Sequence, residues 1–393
     1  MVPDWIWFVF IFAFGCCVGS FLNVVIYRLP RNKSLIVPPS ACPACGKHIC
    51  FYDNIPLVSW LLLGRRCRYC RGPISPRYFV IELLTGSVFA SLFFLYFRTD
   101  LYVGTGSFLK GGWFIYLLYI ILLASFIAAS AIDLEYWLIP VSICWLVTAA
   151  GLIGSAMAVF IINPAQIRSC GLLPSASPTT AALAAGAVMG LAISLVLLAS
   201  GLIKRSYESS ADAGDSLQFI DAVPNSLKPG DLDEPQFNHR LEMSKEIIFL
   251  LPIIVCSIGA YWVTQRSLPI RSWWLDFSQT PVIAGLMGSL WGYFIGCGVV
   301  WATRIFGTLA FGKEAMGLGD VHLMGAAGAV IGPVFVVVAF FIAPFFGLVW
   351  AGFQMFTKKT RQIPYGPFLS LGVFIVMILH DWIFYYVSVI LYC

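Results

Sequence analysis

Long apolar stretches separated by short polar segments dominate the hydrophobic pattern of this chain. A helix that spans a membrane needs about 20 consecutive apolar residues. Stretches of roughly this length lie at 5–27, 78–98, 113–132, 138–162, 179–203, 246–264, 281–306, 334–356 and 367–390. A shorter stretch at 321–332 ends at Gly332-Pro333, so we expect about eight to ten transmembrane helices. The pattern predicts an all-α polytopic membrane protein.

Composition supports this fold class. The 393 residues are 60% hydrophobic and 11% charged, whereas a soluble domain carries about 25% charged residues. Residues 1–27 lack a small-residue cleavage site after a short apolar core, so we expect a retained first span and not a removed signal peptide. The modest net charge of +5 implies no nucleic-acid partner, and the apolar stretches imply the lipid bilayer as a partner of the chain.

Basic residues in the segment 28–77 predict the orientation of the spans. Positive residues in short loops favour the cytoplasm, so this segment should be cytoplasmic and the N-terminus outside. Alternation of the spans then places the 163–178 loop outside and 204–245 inside. It also brings Asp133, at the end of the third span, to the same cytoplasmic side as Asp320. The basic residues are Arg28, Arg31, Lys33, Lys47, Arg65, Arg66, Arg68, Arg71 and Arg77.

Asp320 has the most informative surroundings of any residue in the chain. It ends the motif Gly317-Leu318-Gly319-Asp320 at the edge of an apolar stretch. An ionisable group at membrane depth costs roughly 2.5–3.5 kcal/mol on insertion scales, which makes it a candidate functional residue. We expect the glycines to permit φ > 0 and a close approach of substrate. Asp133 also ends an apolar stretch, and two such carboxylates on one face predict an aspartyl hydrolase.

Two other carboxylates, Glu82 and Glu135, also stand near membrane boundaries. Neither lies in a glycine setting, so we interpret both as structural or interfacial groups.

Four cysteines form two Cys-x2-Cys pairs separated by 21 residues: Cys42, Cys45, Cys67 and Cys70. Paired thiolates at this spacing can bind one tetrahedral Zn²⁺. A site with four thiolates has no open position, so the metal would be structural and would fold a loop with little apolar core. Two disulfides are the alternative, although cytoplasmic thiols are kept reduced.

These features divide the chain into five segments. They are a first transmembrane helix (1–27), a small cytoplasmic zinc-binding loop domain (28–77), transmembrane helices carrying Asp133 (78–203), an acidic cytoplasmic linker (204–245) and transmembrane helices carrying the Gly-x-Gly-Asp motif (246–393). The linker composition is that of a flexible connector.

Several motifs in order along the chain give it a close resemblance to one family. They are residues 19–30, the cysteine pairs, 54–56, 59–60, 74–78, Glu82, 132–134 with 139–140, 313–321 and 363–369. In this set the chain resembles the bifunctional prepilin leader peptidases and N-methyltransferases, which are Gly-x-Gly-Asp aspartic proteases.

The resemblance implies an activity and a set of site residues. It implies removal of the leader from type IV prepilins or pseudopilins after a Gly, at the cytoplasmic face of the bacterial inner membrane. Methylation of the new N-terminal residue, with S-adenosylmethionine as donor, would follow. Asp133 and Asp320 would be catalytic, with Gly317, Gly319 and His322 as supporting residues. The chain has no Gly-rich strand-to-helix turn of the soluble methyltransferase type, so the sequence does not locate the donor site.

Three departures from the family pattern accompany the resemblance. Val141 stands where the family has an acidic residue, His322 stands where it has Lys, and 179–264 resembles an added pair of spans with an acidic loop. Two alternatives stay open. One is a Gly-x-Gly-Asp protease of another substrate class, such as a preflagellin peptidase without methyltransferase activity. The other is a proton-coupled transporter with an Asp pair, although transporters usually show related halves.

Overall fold

The computed structural model describes residues 4–98, 108–162, 171–204, 206, 239–357 and 364–392. Within these residues the chain is helical, and its extended pairing consists of two isolated bridges in the cysteine loop. This confirms the all-α prediction. Most of the predicted acidic linker at 204–245 lies outside the described residues.

Thirteen α-helices form the described part of the chain. They are α1 (Asp4–Arg28), α2 (Val58–Leu62), α3 (Pro76–Phe97), α4 (Gly112–Tyr136), α5 (Val141–Met157), α6 (Pro178–Ala199), α7 (His239–Arg266), α8 (Leu268–Gln279), α9 (Pro281–Phe311), α10 (Leu318–Ile331), α11 (Pro333–Thr357), α12 (Gly366–Ile378) and α13 (His380–Tyr392).

The number of spans agrees with the hydrophobic pattern. Among the described residues, eight helices are long and apolar enough to cross a membrane, and α12 with α13 makes a ninth if the bent pair is one span. The prediction of about eight to ten is therefore confirmed. The last predicted span is not straight, because α12 and α13 meet at 76°. At this bend the buried His380 ring contacts Asp381 and the carbonyl of Gly171, at 2.9 and 3.2 Å.

The short helix α10 lies at the centre of the bundle. Its 14 residues extend about 21 Å, which is less than the roughly 30 Å of a hydrocarbon core. It packs against α5 and α9 and also contacts α4, α11 and α12. Gly292 of α9 meets Gly328 of α10 so closely that a Cβ on Gly292 would lie 2.0 Å from the Gly328 carbonyl oxygen. The absence of side chains here permits the contact that holds α10 in place.

The extra spans form a pair of their own. Helices α6 and α7 pack along each other and against α9. A Cβ on Gly186 would lie 2.3 Å from the Cys256 carbonyl oxygen, and one on Gly190 would lie 2.4 Å from that of Pro252. The backbones of α6 and α7 are therefore in direct contact. The amphipathic helix α8 follows this pair and joins it to α9. The hydrophobic pattern did not predict this helix.

Candidate active site

Asp133 lies in the last turn of α4 and is 7% exposed. The helix ends at Trp137, whose φ of 57° places it in the left-handed region and whose N–H donates to the Asp133 carbonyl at 3.0 Å. A negative charge near a helix C-terminus is unfavourable for the helix dipole. The Asp133 carboxylate therefore needs a donor from outside α4.

The first residue of α12 supplies that donor. The Gly366 backbone N–H donates to Asp133 Oδ2 at 3.0 Å, so the carboxylate lies at a helix N-terminus, where anions are favoured. One turn before Asp133, the Ser130 hydroxyl donates to Ser370 at 2.8 Å, and Ser370 donates to the Gly366 carbonyl at 2.9 Å. These bonds fix the end of α4 against the start of α12.

Asp320 lies in the first turn of α10 and is 8% exposed. Gly317 is the N-cap residue of this helix, and its backbone lies beside the Asp320 carboxylate. The helix dipole favours a negative charge at this end. The two carboxylates therefore share one feature, because each lies at the N-terminus of a short helix.

The fold brings the two carboxylates to one place. Asp133 and Asp320 are close enough to interact electrostatically. The buried side chain of Ile139, just before α5, contacts the glycines beside both of them. A Cβ on Gly319 would lie 2.9 Å from Ile139 Cβ, and a Cβ on Gly366 would lie 3.2 Å from Ile139 Cδ1. The structure thus brings the two predicted residues together, and their catalytic role stays a prediction.

The prediction that the motif glycines adopt a positive φ is wrong. Gly317 has a φ of −74°, and Gly319 is not among the glycines with positive φ. The lack of a Cβ matters instead, because it permits close packing at both positions. Gly319 makes room for Ile139, and the position of a Cβ on Gly317 is 3.6 Å from Asp320 Oδ2. That the two glycines let substrate approach the carboxylate stays a prediction.

His322, a predicted supporting residue, and Tyr365, which was not predicted, both lie near Asp320. His322 packs beside the Trp145 ring, with 6.3 Å between ring centroids, and no hydrogen bond joins it to either carboxylate in the described part of the chain. Tyr365 lies close enough to Asp320 to interact with it electrostatically. Tyr365 and Gly366 belong to the motif at 363–369, so the sequence contained a signal for them, but it did not indicate their contacts.

The other two boundary carboxylates join the bundle to the cysteine loop. Glu135 forms an ion pair with Arg77, at the start of α3. Glu82 is buried and accepts a hydrogen bond from the Leu57 backbone N–H at 2.8 Å. These contacts place the cysteine loop at the same end of the bundle as Asp133.

The cysteine loop contains two hairpin turns with the same hydrogen bonds. Cys42 N–H donates to the carbonyl of Lys47 at 2.9 Å, and Cys67 N–H donates to that of Gly72 at 2.8 Å. Isolated bridges close the two turns at Ala41–His48 and at Arg66–Pro73. Each turn presents the two sulfurs of one Cys-x2-Cys pair to the other turn.

The geometry of the four sulfurs fits a tetrahedral metal ion. All four Sγ atoms lie within 4.8 Å of one another, and those of Cys42 and Cys70 are 3.8 Å apart. Sulfurs bound to one Zn²⁺ at ~2.3 Å would lie about 3.8 Å apart. The backbone amides of Cys70 and Tyr69 lower the pKa of Cys67 to about 7, whereas burial and the neighbouring thiols raise the pKa of Cys70 to about 11. These four cysteines are free thiols, so the disulfide alternative is not supported.

A second group of contacts stiffens the loop around this cluster. Arg68 donates to both carboxylate oxygens of Asp53, at 2.7 and 2.6 Å. These hydrogen bonds hold the pKa of Asp53 below its usual value. The Trp60 ring stacks on Phe79 of α3, with 4.7 Å between centroids.

Comparison with known protein families matches two parts of the chain. Residues 13–96 match the bacterial peptidase A24 N-terminal domain, and residues 248–352 match the type IV leader peptidase family. The first region contains the four cysteines and the second contains Asp320. Asp133 and helix α6 lie between the two regions.

Known relatives support the same assignment. A prepilin leader peptidase/N-methyltransferase from Myxococcus xanthus is 46% identical over 135 residues, which cover 34% of this chain and 36% of the relative. One of the same name from Klebsiella pneumoniae is 36% identical over 162 residues, 40% of this chain and 65% of the relative. A type 4 prepilin-like proteins leader peptide-processing enzyme from Escherichia coli is 40% identical over 146 residues, 32% of this chain and 48% of the relative. No solved structure matches the chain significantly.

The fold and the site define a class, namely multi-pass membrane proteins that bury two aspartates at one end of a helical bundle. Within that class, the chain is similar to the type IV leader peptidase family, whose models match two of its regions, and to relatives named as prepilin leader peptidases. The matched regions span between about a third and two thirds of the length of these three relatives. The comparisons do not support the transporter alternative.

Proposed function

We propose that this protein is a membrane aspartic endopeptidase that removes the leader peptide from type IV prepilins or pseudopilins after a Gly. The observation that carries the proposal is the burial of Asp133 and Asp320 close together, each at the N-terminus of a short helix. The relatives named as prepilin leader peptidases supply the substrate class.

The chemistry follows from the two carboxyl groups. Two buried carboxylates close together do not both ionise easily, so one holds a proton while the other is charged. The charged group takes a proton from a water molecule, which attacks the scissile carbonyl, and the protonated group donates to the carbonyl oxygen. The Gly366 N–H orients the Asp133 carboxylate during this exchange. Because the titrations of the two carboxyl groups are coupled, the acid and base roles belong to the pair and not to one fixed residue.

The position of the site suits a membrane-bound substrate. A prepilin begins with a charged leader followed by a long apolar helix, so enzyme and substrate would meet in the lipid. The basic cysteine loop lies at the same end of the bundle as the carboxylates. Because basic loops favour the cytoplasm, we assign this end to the cytoplasmic face of the bacterial inner membrane.

We assign a structural Zn²⁺ to Cys42, Cys45, Cys67 and Cys70, whose sulfurs have the separation that a tetrahedral ion requires. A bound ion would hold the two turns together and supply no reacting group. The Leu57–Glu82 hydrogen bond and the stacking of Trp60 on Phe79 fix the loop to α3, and the Arg77–Glu135 ion pair joins α3 to α4.

We further propose that the chain methylates the new N-terminal residue of the cleaved pilin. S-adenosylmethionine would supply an electrophilic methyl group when bound. A cavity of about 390 Å³ lies between the end of α1 and the cysteine loop, with Ser20, Phe21, Val24 and Asn54 in its lining. Its size is within the range of ligand sites, and it combines hydroxyl and amide groups with an aromatic ring. We assign the donor to this cavity.

The experiment that tests the peptidase proposal replaces each aspartate. Asp133→Asn and Asp320→Asn keep the shape of the side chain and remove its proton exchange, so each should reduce cleavage of a co-expressed prepilin by at least ~100-fold. The measurement is leader removal on a gel. Glu135→Gln is the matched control, since it removes a carboxylate at the same end of α4 that pairs with Arg77. Cleavage near the wild-type rate by either aspartate variant would contradict the proposal.

A further inference from the structure

A buried charged cluster connects the added helix pair to the segment before Asp320. Arg304 of α9 is fully buried, and Glu246 of α7 is 4% exposed. The Arg304 Nε atom donates to both Glu246 oxygens at 3.1 and 3.2 Å, and Nη2 donates to Oε1 at 3.1 Å. The Trp301 indole N–H donates to Glu246 Oε2 at 2.7 Å. The Glu246 carboxylate is therefore well provided with donors, as a buried ion pair requires.

The other end of the guanidinium reaches the catalytic segment. Arg304 Nη1 donates to the backbone carbonyl of Met316 and to the Glu314 carboxylate. One turn further along α9, the Thr308 hydroxyl accepts the Ala315 N–H at 3.1 Å. These bonds hold the segment 314–316, which leads directly into the N-cap residue of α10. Arg304 is also close enough to Asp320 to interact with it electrostatically.

The carboxylate that holds Arg304 comes from the added helix pair. Glu246 lies just before the region matched to the type IV leader peptidase family. The Ser206 hydroxyl, in the chain that follows α6, donates to the same carboxylate at 3.2 Å. This hydrogen bond joins the chain that follows α6 to Glu246 of α7. The helix pair α6 and α7 therefore supplies a buried carboxylate, that of Glu246, to the charged cluster beside the candidate site.

We infer that Arg304 is a positioning residue for the peptidase reaction and that Glu246 of the added pair fixes its orientation. Arg304 sets the Met316 carbonyl, and thereby the first turn of α10 and the Asp320 carboxylate. The guanidinium can bind a carboxylate and a carbonyl at once because its donors form a rigid planar fork. This inference rests on the proposed peptidase function.

The test separates positioning from folding with two variants of the full chain in detergent. Arg304→Met leaves a buried Glu246 charge without its partner, so the Tm should fall. Adding Glu246→Gln removes that charge and keeps an acceptor for the Trp301 N–H, so the double variant should recover most of the Tm. Neither variant restores a donor to the Met316 carbonyl. We therefore expect kcat for prepilin cleavage to be roughly 10- to 100-fold lower in both, with KM within about threefold of wild type.

Glu242→Gln is the matched control, because Glu242 lies one turn before Glu246 on α7 and pairs with Lys245. It should keep kcat within about twofold of wild type. Recovery of kcat together with Tm in the double variant would mean that the cluster is only structural, and the inference would be overturned. A wild-type kcat in Arg304→Met would also overturn the inference. The same holds if the double variant has a Tm as low as that of Arg304→Met. Absence of cleavage by the unmutated chain would overturn the peptidase function itself, which is a separate outcome.

Discussion

The Asp133 carboxylate accepts a hydrogen bond of 3.0 Å from the backbone N–H of Gly366, which lies 233 positions later in the chain. The bond joins the end of α4 to the start of α12. A side chain at this position would press on the carboxylate, because a Cβ on Gly366 would lie 2.7 Å from Asp133 Oδ2 and 3.3 Å from Cγ. One backbone position thus both binds the carboxylate and makes space for it.

Gly366→Ala should therefore displace the Asp133 side chain. A shift of about 1 Å in a catalytic group can reduce a rate by ~100-fold, and we expect a decrease of that order in prepilin cleavage. The measurement is kcat with a purified prepilin. Gly298→Ala in α9 is the control, since no atom lies within 4 Å of the Cβ it would add. Wild-type kcat in Gly366→Ala would show that the contact does not position Asp133.

The cysteine loop should bind one Zn²⁺ per chain, measurable by metal analysis of the purified protein. Cys42→Ser with Cys45→Ser should abolish binding, while Cys50→Ser, in the same loop but outside the cluster, should retain it. The thiolate is the ligand, and the pKa values of Cys67 and Cys70 are shifted in opposite directions, to about 7 and about 11. Because protons compete with Zn²⁺ for the four sulfurs, binding should weaken as the pH falls. Metal-free protein with four reactive thiols would contradict the assignment.

Corresponding positions of the two cysteine turns carry different residues in the same conformation. Gly46 has a φ of 69° and Arg71 a φ of 59°. A side chain in the left-handed region costs roughly 1–2 kcal/mol, so Arg71→Gly should stabilise the folded loop and Gly46→Ala should destabilise it. A change of about 1.4 kcal/mol corresponds to tenfold in affinity, and chelator competition for Zn²⁺ can resolve it. The reverse order of affinities would mean that the two turns do not hold the metal in this conformation.

The two proposed activities should be separable. Hydrolysis needs the aspartate pair, whereas the proposed donor cavity lies between α1 and the cysteine loop. Asp320→Asn should lose cleavage but still transfer a labelled methyl group from S-adenosylmethionine to a peptide that already begins with the mature Phe. Val24→Trp, which fills part of the cavity, should show the opposite pattern.

The measurement for this pair of variants is label incorporation in detergent, with leader removal scored in parallel. Loss of both activities in Asp320→Asn would mean that the two reactions share one site. Unchanged methyl transfer by Val24→Trp would place the donor elsewhere. Absence of incorporation by the unmutated chain would identify it as a peptidase without methyltransferase activity.

The sequence by itself determined where the helices lie and which cysteines cluster. The stretch predicted at 113–132 became α4 (Gly112–Tyr136), and that at 281–306 became α9 (Pro281–Phe311). The Cys-x2-Cys spacing likewise predicted the sulfur cluster that the structure contains. Both predictions succeed because each feature is determined by residues that are close together along the chain. A bilayer selects apolar stretches of a given length, and a turn of two intervening residues brings paired thiolates together.

Only the tertiary structure decided how the candidate site is built. Nothing local in the sequence indicates that the Gly366 N–H donates to Asp133 or that Ile139 contacts both Gly319 and Gly366. The same holds for the link that Arg304 makes between Glu246 and Met316. The positive φ expected for the motif glycines was wrong for the same reason. The role of those glycines is set by side chains that pack against them from other helices. Such contacts depend on how long helices pack together, and a hydrophobic pattern specifies which faces are apolar but not which helices meet.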